Sequence, residues 1–165
     1  MLIMNNVINI CDRNIKIIIL FFIIFAVILL PLSGQTALKM EGILEKSAMN
    51  WADITAFVLE ASAQGVFSDS TEAFDFAKSR NWLPKKVQDA EQQLSLNGLA
   101  LFLMRAFDLK GGIFYTITKS PHYAYRELVY KEIIQGRTDP DMLVSGQDFL
   151  FILGRVLSIV DKEAE

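Results

Sequence analysis

The chain has 165 residues, 16 basic and 19 acidic, for a net charge of −3, and 52% of them are apolar. That length suits one domain with a short appendage, and an acidic balance without a basic stripe excludes a nucleic-acid binder. It also gives little grip on an acidic surface or polymer outside a local basic patch; Lys85-Lys86 with Lys78 and Arg80 is the one such cluster, and it reads as a solvated helix end.

Residues 17–30, IIILFFIIFAVILL, form an unbroken apolar run stopped by Pro31. Arg13 and Lys16 precede it, and Ser33, Gly34, Thr36 and Ala37 follow. A basic start, an apolar stretch of ~7–15 residues and a small-residue exit describe a secretory signal, whereas a spanning helix wants ~20 apolar residues. Residues 1–37 are therefore expected to be a signal peptide cut between Ser33 and Ala37, with an uncleaved membrane anchor as the alternative. The expected destination is the periplasm or cell surface. Cys11, the only cysteine, precedes the run, so the exported chain holds none and a disulfide framework is excluded. Residues 38–165, with a charge of about −4, must stand on their apolar core alone.

Taken in order, residues 38–45 form a short amphipathic piece weakened by Gly42. Asn50 reads as the N-cap of a helix with Asp53 at its third position, close to a capping box. Ile54, Phe57, Val58 and Ala61 give that helix one apolar face, and Gly65 is expected to end it. After the polar break 68–71, a helix over 72–81 carries Phe74 and Ala77 inward, with Trp82-Leu83 beyond, and Pro84 closes it. Residues 85–93 read as a loop. Ser95 caps a very apolar helix to Phe107, whose Gly98 costs about 1 kcal/mol against alanine and so implies a close packing contact. Ile113–Thr118, IFYTIT, has strand composition, but it lacks a partner strand and is expected to be an extended connector. Two further helices, 122–134 and 145–157, flank the turn-rich loop QGRTDPD.

The helix starts repeat. SLNGLALFLMRAF from Ser95 lies over SGQDFLFILGRVL from Ser145: the serines align, the apolar positions align, and Arg105 meets Arg155. Asn50 to Ser62 fits the same frame. A period of 45–50 residues describes supersecondary units that bury their faces against one another.

In this frame Ser120-Pro121-His122-Tyr123-Ala124 is a helix start, Ile133-Ile134-Gln135-Gly136-Arg137 a glycine turn followed by Asp139-Pro140, and Val144-Ser145-Gly146-Gln147-Asp148-Phe149 a capped second helix. This pattern resembles the S-layer homology family, with tyrosine in place of the usual tryptophan. The resemblance implies an all-α fold of three helix–loop–helix pseudo-repeats, about 38–65, 71–110 and 120–160, whose second helices pack into a central bundle. It implies a non-enzymatic cell-envelope protein that associates with a cell-wall polysaccharide or peptidoglycan-linked glycan. The implied ligand residues are Trp51, Tyr123, Arg137 and Asp148, with no cofactor and no metal, and with membrane contact only through the N-terminal segment. The chain departs from the family where its capped motif carries a basic residue, since Trp51, Leu96 and Gly146 stand there. The acid of that motif is kept as Asp53 and Asp148 and is Gly98 in the second unit. The alternative is a degenerate scaffold that binds an envelope protein.

Catalytic patterns are thin. His122 is the single histidine, so familiar zinc spacings are excluded, and a structural role at a helix start is expected. Asp139, Asp141 and Asp148 miss the EF-hand pattern, with Leu143 and Val144 where a ligand and glycine belong. Gly111-Gly112 lacks phosphate-loop spacing. Trp51, Trp82 and Tyr123 are candidates for a sugar platform or for ordinary core anchors. Arg105 and Arg155 either mark a paired surface site or carry their charge from an apolar helix toward water. The core is expected to hold Phe57, Leu99, Phe102, Leu103, Phe149, Ile152 and Leu153.

Overall fold

The computed structural model describes residues 40–136 and 138–164. The expected signal segment 1–37, its cut site and Cys11 lie outside them, as does Arg137. Among the described residues the chain is all-α, with a helical turn at 40–44, six longer helices and no strand. These are α1 Trp51–Ala61, α2 Ser70–Ser79, α3 Leu96–Ala106, α4 Ile113–Thr118, α5 Pro121–Tyr130 and α6 Gly146–Ala164. Residues from Gly42 onward form one compact unit.

Capping chemistry sets the helix starts. The Asn50 side chain accepts from the Asp53 N–H at 2.9 Å while the Asp53 carboxylate accepts from the Asn50 N–H at 3.2 Å, a complete capping box. Asp69 accepts from Thr71 N–H, and Ser120 from Tyr123 N–H with Pro121 at the first helical position. Ser145 accepts from Asp148 N–H and donates to its carboxylate at 2.6 Å. Ser95 departs from expectation: it makes no cap bond, and its hydroxyl is held 2.8 Å from Asn97 Oδ1.

Four helix ends share one device. Ala63, Asn81, Asp108 and Glu132 take left-handed backbone, with φ between 50° and 59°. The following N–H reaches back five residues, from Gln64 to Leu59, Trp82 to Ala77, Leu109 to Met104 and Ile133 to Leu128. This is the Schellman closure, in which glycine is usual because a Cβ there costs roughly 1–2 kcal/mol. Without glycine as a marker, the ends at 61 and 130 fall before Gly65 and Ile134, where the sequence places them.

The 113–118 segment is a helix, not an extended connector. Its local preference for strand is overridden by one inward anchor, the buried Tyr115, and by back-bonding hydroxyls from Thr116 to the Gly112 carbonyl and Thr118 to the Phe114 carbonyl. Lys119, at φ 44°, stops it.

The starts of α1, α3 and α6 are wired into a ring. Met49 N–H donates to the Val144 carbonyl at 2.8 Å, Val144 N–H to the Leu94 carbonyl at 3.1 Å, and Leu94 N–H to the Met49 carbonyl at 2.8 Å. Around it, each helix's orphan N–H groups find carbonyls from a distant turn. Trp51 and Ala52 donate to Gln92 and Ala90, Leu96 and Asn97 to Met142 and Pro140, and Gly146 to Lys46. At Gly146 a Cβ would sit 1.7 Å from the Ile43 carbonyl oxygen, so only glycine fits.

The core lies beneath this ring. Nine of the eleven α3 residues are buried, and α6 adds Phe149, Ile152, Leu153 and Val156. The expected core residues are buried except Phe57, which is half-buried against the others. Gly98 makes the close contact inferred for it: a Cβ there would stand 3.0 Å from the Trp51 ring. The α2 helix packs on α1, and α5 packs on α3 and α4.

Candidate ligand groove

Pro84, buried with Leu83, turns the chain after α2 and brings Lys85 and Lys86 to the surface, where the Val87 N–H closes the turn onto the Pro84 carbonyl at 2.9 Å. Opposite them, the left-handed Lys119 bends the chain between α4 and α5 and presents Lys119 and His122. Arg105, near the end of α3, forms the floor. Together these enclose a groove of about 710 Å³ whose described lining holds Lys85, Lys86, Arg105, Lys119 and His122 and no carboxylate.

Arg105 is fixed in place. Its guanidinium donates to the Asn81 carbonyl and, at 2.8 Å, to the Lys119 carbonyl, so it closes the ends of α2 and α4. Arg155 does the same for α5 through the Ile133 carbonyl at 3.0 Å. A cation at the negative end of a helix dipole is favourable. These arginines thus serve as clamps on helix ends, an assignment that neither sequence reading contained. Behind Arg105 a second cleft of about 610 Å³ carries Arg80, Lys110 and Lys119 with Asp108 and Tyr115. Burial pushes the Tyr115 phenol above its ordinary 10.0, against the opposing pull of Arg105. Arg80 lies over the rings of Phe76 at 5.2 Å and Trp82 at 6.0 Å, so half-buried Trp82 is covered by a cation.

The four residues singled out in the sequence do not converge. Trp51 is 1% exposed, edge-on to Phe102 at 6.0 Å, and out of a ligand's reach. Tyr123 is half-buried, stacked on Phe114 at 5.6 Å with 13° between planes. Asp148 is exposed, engaged with Ser145, and lines a separate pocket of about 170 Å³ beside Arg155 and Phe151. Arg137 lies outside the described residues.

The groove residues were missed for a physical reason. Lys85-Lys86 is not a helix end but an exposed turn, whereas Lys78 points away to the Gln88 carbonyl at 2.9 Å. The one usable signal was a lysine pair directly after Trp-Leu-Pro, where a buried anchor forces polar neighbours outward. Comparison with family models, curated proteins and solved structures finds no match for this chain.

Proposed function

We propose that this chain is an exported, non-enzymatic cell-envelope protein whose carboxylate-free basic groove holds an anionic cell-wall glycan. The groove carries the reading: three lysine charges beside a clamped guanidinium are held in about 710 Å³ with no described acid in the lining. A sugar-linked carboxylate or phosphate suits that lining, because charge-assisted hydrogen bonds to such groups are about twice as strong as neutral ones. The net charge of −3 then disfavours unspecific adhesion and leaves the patch to select.

In this reading the chain is a set of three S-layer-homology-like units following an N-terminal signal or anchor. Support comes from the ring at Met49, Leu94 and Val144, which joins equivalent positions ahead of three helix starts, and from the matched clamps Arg105 and Arg155. The test is sedimentation of the protein with purified wall sacculi before and after removal of their secondary polymers. Saturable binding that disappears with the polymers, and that Lys85→Glu with Lys86→Glu weakens at unchanged helicity, is expected. Failure to sediment in either case sinks the reading.

One observation favours the alternative, a scaffold for an envelope protein. Where the family carries its basic residue, Trp51 and Leu96 are buried and Gly146 has no side chain to offer. Capture of one defined protein that persists after wall digestion would select it.

A further inference from the structure

From the exposed face of α4 we infer a second contact, beside the groove and sharing Lys119 with it: the helix inserts into the interface of an anionic lipid bilayer. Ile113, Phe114 and Ile117 are 76%, 67% and 76% exposed. At about 100° per residue they share one face, and Tyr115, the buried residue, points the other way. Large apolar side chains grouped on one exposed face often mark a site of interaction. The face is also held firm: Phe114 stacks on Tyr123, and Thr116 and Thr118 tie their hydroxyls to backbone carbonyls.

The chemistry of the rim selects lipid. Exposed Lys110 and Lys119 bracket the helix, which itself carries no charge; the carboxylates near it, Asp108 and Glu127, lie at its start, Asp108 in the cleft behind Arg105 and Glu127 against Gly112. Tyr123 and, seven residues on, the 85%-exposed Tyr130 continue the surface along α5. Aliphatic tips, then tyrosines, then lysines is the order in which side chains grade from acyl chains through the interface to charged headgroups. Size argues against a protein partner. Three such side chains offer on the order of 450 Å², short of the ~800 Å² per partner of a stable interface. The sequence reading confined membrane contact to the N-terminal segment; α4 adds one from the folded unit.

The test uses the full chain with Cys11→Ser and one new thiol carrying an environment-sensitive NBD dye, at Ile117→Cys or, as reference, at Phe151→Cys on α6. Phe151 is also exposed, at 58%, but lies in the pocket beside Arg155. With phosphatidylcholine vesicles containing about 30% phosphatidylglycerol, the dye at 117 is expected to brighten several-fold and shift to the blue, while the dye at 151 does not. Ile113→Asp with Phe114→Asp should abolish the response while leaving the far-ultraviolet circular dichroism unchanged. Equal responses at the two positions overturn the inference. So does a response at 117 that needs no lipid and grows with protein concentration, which would make the face a contact between copies. Neither result bears on wall binding.

Discussion

Helices α3 and α4 are both made of strongly apolar sequence, LNGLALFLMRA and IFYTIT, yet they sit at opposite extremes of the molecule. The first is enclosed on nearly every side, its starting N–H groups fed by the Met142 and Pro140 carbonyls. The second has one inward residue and three large side chains in water. Hydrophobicity alone therefore does not say which segment becomes the core. What separates them is wiring: α3 starts at a position where three helix beginnings exchange backbone hydrogen bonds, and α4 hangs between two turns. Burial follows from where a helix is pinned.

Mutations in the ring helices should be severe and those in α4 mild, and the largest effect is expected at the ring itself. Gly146→Ala drives a Cβ into the Ile43 carbonyl; a loss of 4 kcal/mol or more, about the upper limit for a single residue, should appear in urea denaturation. A mild effect there would break the comparison at its root. Next, Phe102→Ala in α3 should cost about 3–5 kcal/mol, while Phe114→Ala in α4 stays within about 0.5 kcal/mol. Similar values for the two phenylalanines would mean that the α4 face is covered in solution.

Smaller and opposite in sign, Glu132→Gly should stabilise by about 1 kcal/mol, by relieving a side chain held at φ 59°. The same change at Lys119, φ 44°, tests whether the α4 turn is strained to the same degree. The smallest effect concerns pH. Burial keeps the Tyr115 proton on to higher pH in the folded chain than in the unfolded one. Its contribution is intact below about pH 10 and is lost as pH rises from there through the folded value. Tyr115→Phe should flatten that part of the decline in denaturation midpoint, measured beside the wild type.

Much of the fold could be read from the chain where one residue type carries one physical role. Asn50 with Asp53, Ser120 before Pro121, and the period of Ile54, Val58 and Ala61 all announce helices, and the all-α class follows from them. The cramped Gly98 was readable for the same reason. Helix ends were harder, because Ala63, Asn81, Asp108 and Glu132 do with strain what glycine does freely. The 113–118 segment was misread because its β-branched residues express local preference, whereas a single distant contact through Tyr115 decides its conformation. The site was least legible. Trp51 and Tyr123 are aromatic for packing, and the groove's cations come from three separate stretches that only folding brings together.

The ring also has a history in time. The Lys46 carbonyl is made about a hundred residues before the Gly146 N–H that it receives. At synthesis rates of ~5–20 residues per second that is a wait of roughly 5–20 s, during which α1 and α3 have their starts only partly satisfied. A chain cut short before Val144 lacks the acceptor for Met49 and the donor for Leu94. Fragments of this protein should therefore behave as clients of proteases and chaperones rather than as smaller working modules. The last helix brings the partners that the starts of the first and third still lack.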